Sequence, residues 1–264
     1  MSAPLLAVTD LTVTHQHAGG STRAVAGVSF TLDPGEALVL LGESGSGKTS
    51  VARAVLGLPG RSARTTGRIA LDGVDLRTLD ERALSGIRGR RIGYVPQDPT
   101  GSLDPLRRIG PQIGEVLRRH GAADGRRAAR AAVPALLESV GVADPDRVAR
   151  SFPHELSGGL RQRAAIAVAV CCGPRLLVAD EPTTALDALV QAQVLDLFAG
   201  LRAERGIALL LVTHDLAVAR RTGGTVAVMR SGRVVESGTA EQVLDRPGHP
   251  FTAELVAAQP GARR

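Results

Sequence analysis

From residue 5 to residue 41, short apolar segments alternate with polar positions and break at turns over 17–21 and at Asp33-Pro34-Gly35. Alternation punctuated by Gly, Pro and Asp predicts an antiparallel β hairpin. The pattern then changes. Residues 36–41 (Glu-Ala-Leu-Val-Leu-Leu) form a short apolar run that reads as a buried strand, and residues 50–58 carry helical spacing. Residues 67–79 read as a further strand and turn, and 91–97 as a strand ending at Gln97. The stretch 98–170 is helix-rich, with loops over 121–125 and 141–145. Two more apolar runs, 176–180 and 207–213, read as buried strands, and the alternation over 172–230 predicts βαβ units and a parallel sheet. The tail over 247–264 is expected to be ordered only in part. No internal repeat or low-complexity tract interrupts the chain.

Composition narrows the picture. A chain of 264 residues can bury a large core, as one α/β domain or as a domain with an inserted subdomain. No apolar stretch approaches the ~18 residues of a membrane span. The opening Met1-Ser2-Ala3-Pro4-Leu5-Leu6 lacks the positive region of a signal peptide, so a cytosolic chain is expected. Cys171 and Cys172 are adjacent, cannot staple distant segments, and read as small core residues on a helix in a reducing compartment. A net charge of +6 could suit nucleic acid, but the arginines are scattered. With 2% aromatics, almost nothing is left to stack on bases. The charge is read as a solvated surface with some use at an anionic membrane face or a partner, and no nucleic-acid partner is expected.

The basic residues hold one anomaly. Of 32 Lys+Arg, Lys48 is the only lysine. It stands in Gly42-Glu43-Ser44-Gly45-Ser46-Gly47-Lys48-Thr49, which fits the phosphate-loop pattern G-x-x-x-x-G-K-[ST]. An ammonium is a compact point charge, whereas a guanidinium is a wide planar fork, so a tight loop around a phosphate keeps the former. Strand, glycine-rich loop and helix are the context the pattern requires. The glycines let successive backbone N–H groups turn inward, and the helix N-terminus adds its partial positive charge. Lys48 is expected to reach the β- and γ-phosphates and Thr49 to bind Mg²⁺. Downstream, the strand 176–180 ends in Asp180 followed by Glu181. Asp180 can bind Mg²⁺, and Glu181 can orient or deprotonate an attacking water.

With these two phosphate-chemistry motifs in hand, the chain resembles the ATP-binding cassette (ABC) ATPases. Leu156-Ser157-Gly158-Gly159-Leu160-Arg161-Gln162-Arg163 is similar to that family's signature sequence. Gln97 matches its Q-loop, Ala185-Leu186-Asp187 its D-loop, and His214 its H-loop. The motifs run in family order over roughly residues 5–240. The resemblance implies an α/β fold: a P-loop NTPase (RecA-like) parallel-sheet core, an N-terminal antiparallel β subdomain and an inserted helical subdomain. The ATPase domain is expected over 5–245, its helical subdomain over about 98–170, and a short tail over 246–264. It implies ATP and Mg²⁺ as ligands, with nucleotide contacts from Gly42, Glu43, Ser44, Gly45, Ser46, Gly47, Lys48, Thr49 and Ser50. Thr49, Gln97 and Asp180 are implied at the metal, and Glu181, His214 and Gln97 in catalysis. Ser157, Gly158, Gly159 and Asp187 are implied to complete the site of a second cassette in a head-to-tail homo- or hetero-dimer. The sequence departs from the family at two places. His15, in Val13-Thr14-His15-Gln16-His17, stands about where an aromatic normally stacks on adenine, and Leu160 replaces a common glutamine. His120, His154 and His249 match no motif and are read as structural or surface residues.

Three stretches resemble the oligopeptide, dipeptide and nickel importer branch: Gln97-Asp98-Pro99 with Ser102-Leu103-Asp104-Pro105, Pro182-Thr183-Thr184-Ala185-Leu186-Asp187-Ala188, and His249-Pro250-Phe251-Thr252-Ala253-Glu254-Leu255. The resemblance implies a peripheral ATPase on the cytoplasmic face of the cell membrane. Two integral membrane permeases and an extracytoplasmic substrate-binding protein would complete the complex. The cargo, peptide or nickel and metallophore, stays open at this point. So do an exporter ATPase and a soluble non-transport ABC ATPase as alternatives.

Overall fold

A computed structural model of the chain describes residues 3–184 and 186–258, Thr100 by its backbone only. In chain order the elements are β1 (Leu6–His17), β2 (Gly20–Leu32), β3 (Ala37–Leu41), α1 (Lys48–Val55), β4 (Ala63–Leu71), β5 (Val74–Asp75), α2 (Glu81–Ile87) and β6 (Ile92–Val95). Then follow α3 (Ile109–Arg119), α4 (Gly125–Glu138), α5 (Pro145–Arg150), α6 (Gly158–Val170), β7 (Leu176–Asp180) and α7 (Ala188–Arg205). The chain closes with β8 (Ala208–Thr213), α8 (Leu216–Thr222), β9 (Thr225–Arg230), β10 (Arg233–Thr239), α9 (Ala240–Asp245) and α10 (Pro250–Ala257). These divide into two compact units, residues 1–84 with 205–264, and residues 85–204.

The first unit holds two sheets. One is antiparallel, in the order β2-β1-β4-β5, and contains the expected hairpin. In the other, β3 lies between β8 and β9 and is parallel to both, while β10 runs antiparallel beside β9. All residues of β3 and β8 are buried. Strands covered on both faces by crossover helices read as unbroken apolar runs, which is why these two were visible as such. Helix α1 packs against β8, and α8 against β3 and β8. The tail is more regular than expected as far as Ala258. Glu236 accepts the N–H groups of Gly248 (2.7 Å) and His249 (3.1 Å), and α10 follows with Phe251, Thr252 and Val256 buried. Residues 259–264 of the expected tail lie outside the described residues.

The second unit is built on the parallel pair β6–β7 and on helices. Helix α3 buries Ile109, Gln112, Ile113, Gly114 and Leu117, an i, i+3, i+4 stripe, and α3, α4 and α5 pack on one another. Gln112 ties down the loop before its own helix. Its amide donates to the carbonyls of Asp104 (3.0 Å) and Arg107 (2.8 Å) and accepts from the Asp104 N–H (2.9 Å). Cys171 is buried and caps the end of α6 rather than lying within it, and Cys172 follows half-buried, their Sγ atoms 3.8 Å apart. The contact with Cys172, and then burial, push the Cys171 thiol far above its ordinary pKa, as for a small core side chain.

Candidate active site

In the first unit, the buried strand β3 delivers the chain into the loop 42–47, and α1 begins at Lys48. The helix starts at Lys48, two residues before the clear helical spacing over 50–58 and where the motif's helix N-terminus is expected, with Gly47 as its N-cap at φ 104°. Two close approaches hold the loop's backbone. A Cβ on Gly47 would stand 2.2 Å from the Ala24 carbonyl oxygen, and one on Gly42 would stand 2.3 Å from that of Met229. Neither position can carry a side chain without moving backbone.

Lys48 is buried, and its ammonium donates to the carbonyls of Gly42 (2.8 Å) and Glu43 (2.8 Å) and to the Ser46 hydroxyl (3.4 Å). The lone lysine is thus curled over its own loop, held by carbonyl dipoles. Glu43, Ser44 and Gly45 form the exposed rim, while Thr49 and Ser50 are half-buried. His15 lies half-buried on β1, across from Thr22 on β2 and Ala63 on β4. His214 follows the last residue of β8 and is exposed. The next residue, Asp215, caps α8 by accepting from Ala217 N–H (2.7 Å) and Val218 N–H (3.3 Å).

In the second unit, Asp180 is the last residue of β7 and only 2% exposed, an acid drawn into the end of an apolar strand. Glu181 has φ 47°, a left-handed conformation rare outside glycine. Such strain persists only where the surroundings enforce it. Its Oε2 accepts from Gln97 Nε2 (3.1 Å) and from the Thr184 hydroxyl (3.2 Å). Gln97 and Glu181, 84 residues apart in sequence, therefore form one hydrogen-bonded pair. Gln97 itself lies in an exposed bend beyond the end of β6, not on the strand as expected. Ser157 caps α6, its hydroxyl accepting from Leu160 N–H at 3.4 Å. Gly159 packs tightly, since a Cβ there would stand 3.0 Å from Val190 Cγ1. Asp187 starts α7 by accepting from Val190 N–H at 2.9 Å, and Leu189 beside it is 70% exposed. Ala185 of the same motif lies outside the described residues.

The structure thus joins Gln97 to Glu181 and gathers Gly42 through Lys48 into one loop. It adds Thr184, whose hydroxyl donates to the Glu181 carboxylate and which the sequence marks only as part of the stretch 182–188. The remaining histidines have packing contacts. His154 stacks on Phe152, and His249 caps α10 by accepting from Phe251 N–H at 3.2 Å. Burial, then the charges of Arg119 and Arg90, hold His120 below its ordinary pKa. Among the described residues no cluster of three or more His, Cys, Asp or Glu could hold a metal ion. Within the second unit, Asp180 and Gln97 carry hard oxygen donors of the kind Mg²⁺ takes when phosphates complete its shell, and in the first unit Thr49 carries another.

A family model described as "ABC transporter" matches residues 25–184. The peptidoglycan transport ATP-binding protein YejF of Agrobacterium fabrum is 47% identical over 259 residues, covering 97% of this chain and 47% of its own length. The oligopeptide transport ATP-binding protein OppD of Bacillus subtilis is 44% identical over 260 residues, covering 97% of this chain and 72% of its own. The chain therefore spans about half of the first relative and most of the second. Among solved structures, the dimeric post-hydrolysis state of the ATP-binding cassette MJ0796 bound to ADP and Pi superposes with a TM-score of 0.79 at 28% identity. That match covers 89% of this chain and 98% of the other.

Of the loop glycines with positive φ, Gly45 and Gly47 differ in one respect. Around Gly45 (φ 81°) a Cβ would meet nothing within 4 Å, whereas Gly47 abuts the Ala24 carbonyl. Gly45→Ala is expected to lose only the left-handed penalty, about 1–2 kcal/mol. Gly47→Ala is expected to lose clearly more, read as the difference in urea midpoint at unchanged slope. Equal losses would show that the close approach does not constrain the loop.

Proposed function

This chain belongs to the ABC transporter family, and we propose that it is the ATP-binding and ATP-hydrolysing subunit of an importer for peptides or peptide-like compounds. The observation that carries the reading is the Gln97–Glu181 pair. A carboxylate on strained backbone, held at one oxygen by an amide and a hydroxyl, is an oriented general base, not a solvated surface acid. Gly42 through Ser50 would hold the nucleotide's phosphates with inward backbone N–H groups, and Lys48 would exchange its carbonyl partners for the β- and γ-oxygens. Glu181 would take the proton of the attacking water while Gln97 positions that water, and His214 would donate to the γ-phosphate. Thr49, Asp180 and Gln97 would hold Mg²⁺, which when bound neutralises charge on the phosphate oxygens. His15 would lie against the adenine, with a weaker stack than a tyrosine gives.

The pairing with a second cassette is supported by Ser157 at the N-terminus of α6, whose first N–H groups suit an anion, and by the exposed Leu189 beside Asp187. In this reading Ser157, Gly158, Gly159 and Asp187 close on the nucleotide of the partner. Docking to two membrane permeases is supported by Leu106, 85% exposed on the loop that Gln112 clamps. An apolar side chain held out on an ordered loop is a contact awaiting a partner. No helix among the described residues is long and apolar enough to cross a membrane, in keeping with a peripheral subunit at the cytoplasmic face. Relatives named for oligopeptide and peptidoglycan transport favour a peptide-class cargo over nickel, and a Brucella melitensis relative named for putative peptide import favours an importer over an exporter. A substrate-binding protein outside the membrane would feed the complex.

Glu181→Gln is expected to keep ATP binding, lower turnover by about 10²–10⁴-fold and accumulate an ATP-bound dimer, seen by light scattering. Turnover at the parent rate would remove Glu181 from its role. Capture of the tagged chain from its own membranes is expected to bring down two permeases; ribosomal or DNA-repair proteins instead would overturn the transport reading. His15→Tyr is expected to tighten ATP about threefold to tenfold by calorimetry, the gain of one aromatic contact. Unchanged affinity would mean that another residue holds the adenine.

A further inference from the structure

Away from every residue assigned above, α3, α4 and α5 line a solvent-open groove of about 430 Å³ whose charged side chains are all exposed. That is the size of a small-molecule site. Its lining is chemically lopsided. Arg108, Arg118, Arg126, Arg130 and Arg150 face it, against a single acid, Asp146. The remaining lining is compact, including Gly110, Gly114, Val133 and Pro134. The two glycines, one helical turn apart, let the helices close in. A Cβ on Gly110 would meet the Ala149 carbonyl oxygen at 2.9 Å, and Gly114 faces the Ala129 methyl. Pro134 sits inside α4 and lacks the N–H that the Arg130 carbonyl would accept, so the helix is weakened beside the groove.

The arginines are poorly compensated. Arg107 and Arg147, outside the lining, pair with Glu115 and Asp144. Among the described residues none of Arg118, Arg126, Arg130 and Arg150 is ion-paired. Arg108 is held over the Phe152 ring at 5.5 Å. The N-terminal turn of α4, where Arg126 lies, adds partial positive charge on the same side. Like charges converging on one concave, partly apolar space raise the local concentration of anions, and guanidinium forks match phosphate oxygens in pairs.

We propose that this groove is a second anion site, distinct from the phosphate loop, which takes a multiply charged phosphate group. The group could be carried by a small soluble molecule or by an anionic lipid headgroup. The site does not depend on the ATPase assignment.

The test is a pyrophosphate titration of the full-length Lys48→Ala chain, in which the phosphate loop has lost its lysine, by calorimetry at low salt. The expected result is saturable binding that weakens roughly a hundredfold in Arg118→Ser/Arg130→Ser, ~tenfold for each guanidinium lost. The control pair Arg119→Ser/Arg127→Ser removes the same charge from the same helices outside the groove and is expected to change binding by less than about threefold. In a second arm, phosphatidylglycerol vesicles compete with pyrophosphate, against phosphatidylcholine vesicles. Displacement by the anionic vesicles alone assigns the site to a lipid headgroup, and no displacement by either assigns it to a soluble phosphate. Absence of saturable binding, or equal losses in the two arginine pairs, would overturn the proposal.

Discussion

Gly232, in the turn between β9 and β10, donates its N–H to the Ser46 carbonyl at 2.9 Å, and its own carbonyl accepts from Ala26 N–H of β2 at 2.8 Å. Through this one residue the loop that carries Lys48 is stitched to both sheets of its unit. The same neighbourhood supplies the Ala24 carbonyl that crowds Gly47 and the Met229 carbonyl that crowds Gly42. Backbone packed on backbone without intervening side chains is stiff, because it has no rotamers through which to relax. A loop that must present several N–H groups to one anion needs that stiffness, since preorganised donors cost nothing to orient when the ligand arrives. The glycines are therefore required twice over, for the turn they permit at Gly47 and for the contact distance they allow.

The second unit solves a related problem with side chains. Asp180 ends a fully buried strand, and Glu181 follows in a left-handed turn. The chain turns there, so that consecutive acids stand in different settings, the first buried at the strand end and the second half-buried on left-handed backbone. Gln97 and Thr184 then fix the second one. The division of labour proposed for these carboxylates, one toward a metal and one toward water, rests on that turn.

Much of this was legible in the sequence where physics leaves a pattern. The blocks 36–41, 176–180 and 207–213 announced buried strands because strands covered on both faces have no polar side. The glycine-rich loop before α1 was legible because a single lysine stands among arginines inside a G-x-x-x-x-G-K-[ST] pattern between an apolar run and a helix. The family reading from ordered motifs agrees with the matching family model and with the cassette folds it resembles. Other features left no such trace. β10 (Arg-Val-Val-Glu-Ser-Gly-Thr) is half-buried at the sheet edge, and its weak alternation carries no strand signal. The start of β4 at Ala63, in Ala-Arg-Thr-Thr, has too little apolar content to be seen. The positive φ of Glu181 is imposed by tertiary contacts and carries no local signal. The arginine-lined groove exists only once three helices pack, and its arginines, each exposed, carry no mark in the sequence beyond ordinary surface charge.

The central claim is that Lys48 is retained because the loop requires an ammonium where arginine serves everywhere else. Its most direct test is equilibrium ATP binding by the parent chain and by Lys48→Arg, which keeps the charge and changes only its shape. The account predicts that the variant folds with an unchanged melting profile but binds ATP at least about a hundredfold more weakly, since a planar fork cannot occupy the carbonyl-lined space between Gly42, Glu43 and Ser46. Parent-like affinity in Lys48→Arg would contradict it, and would reduce the lone lysine to an accident of composition.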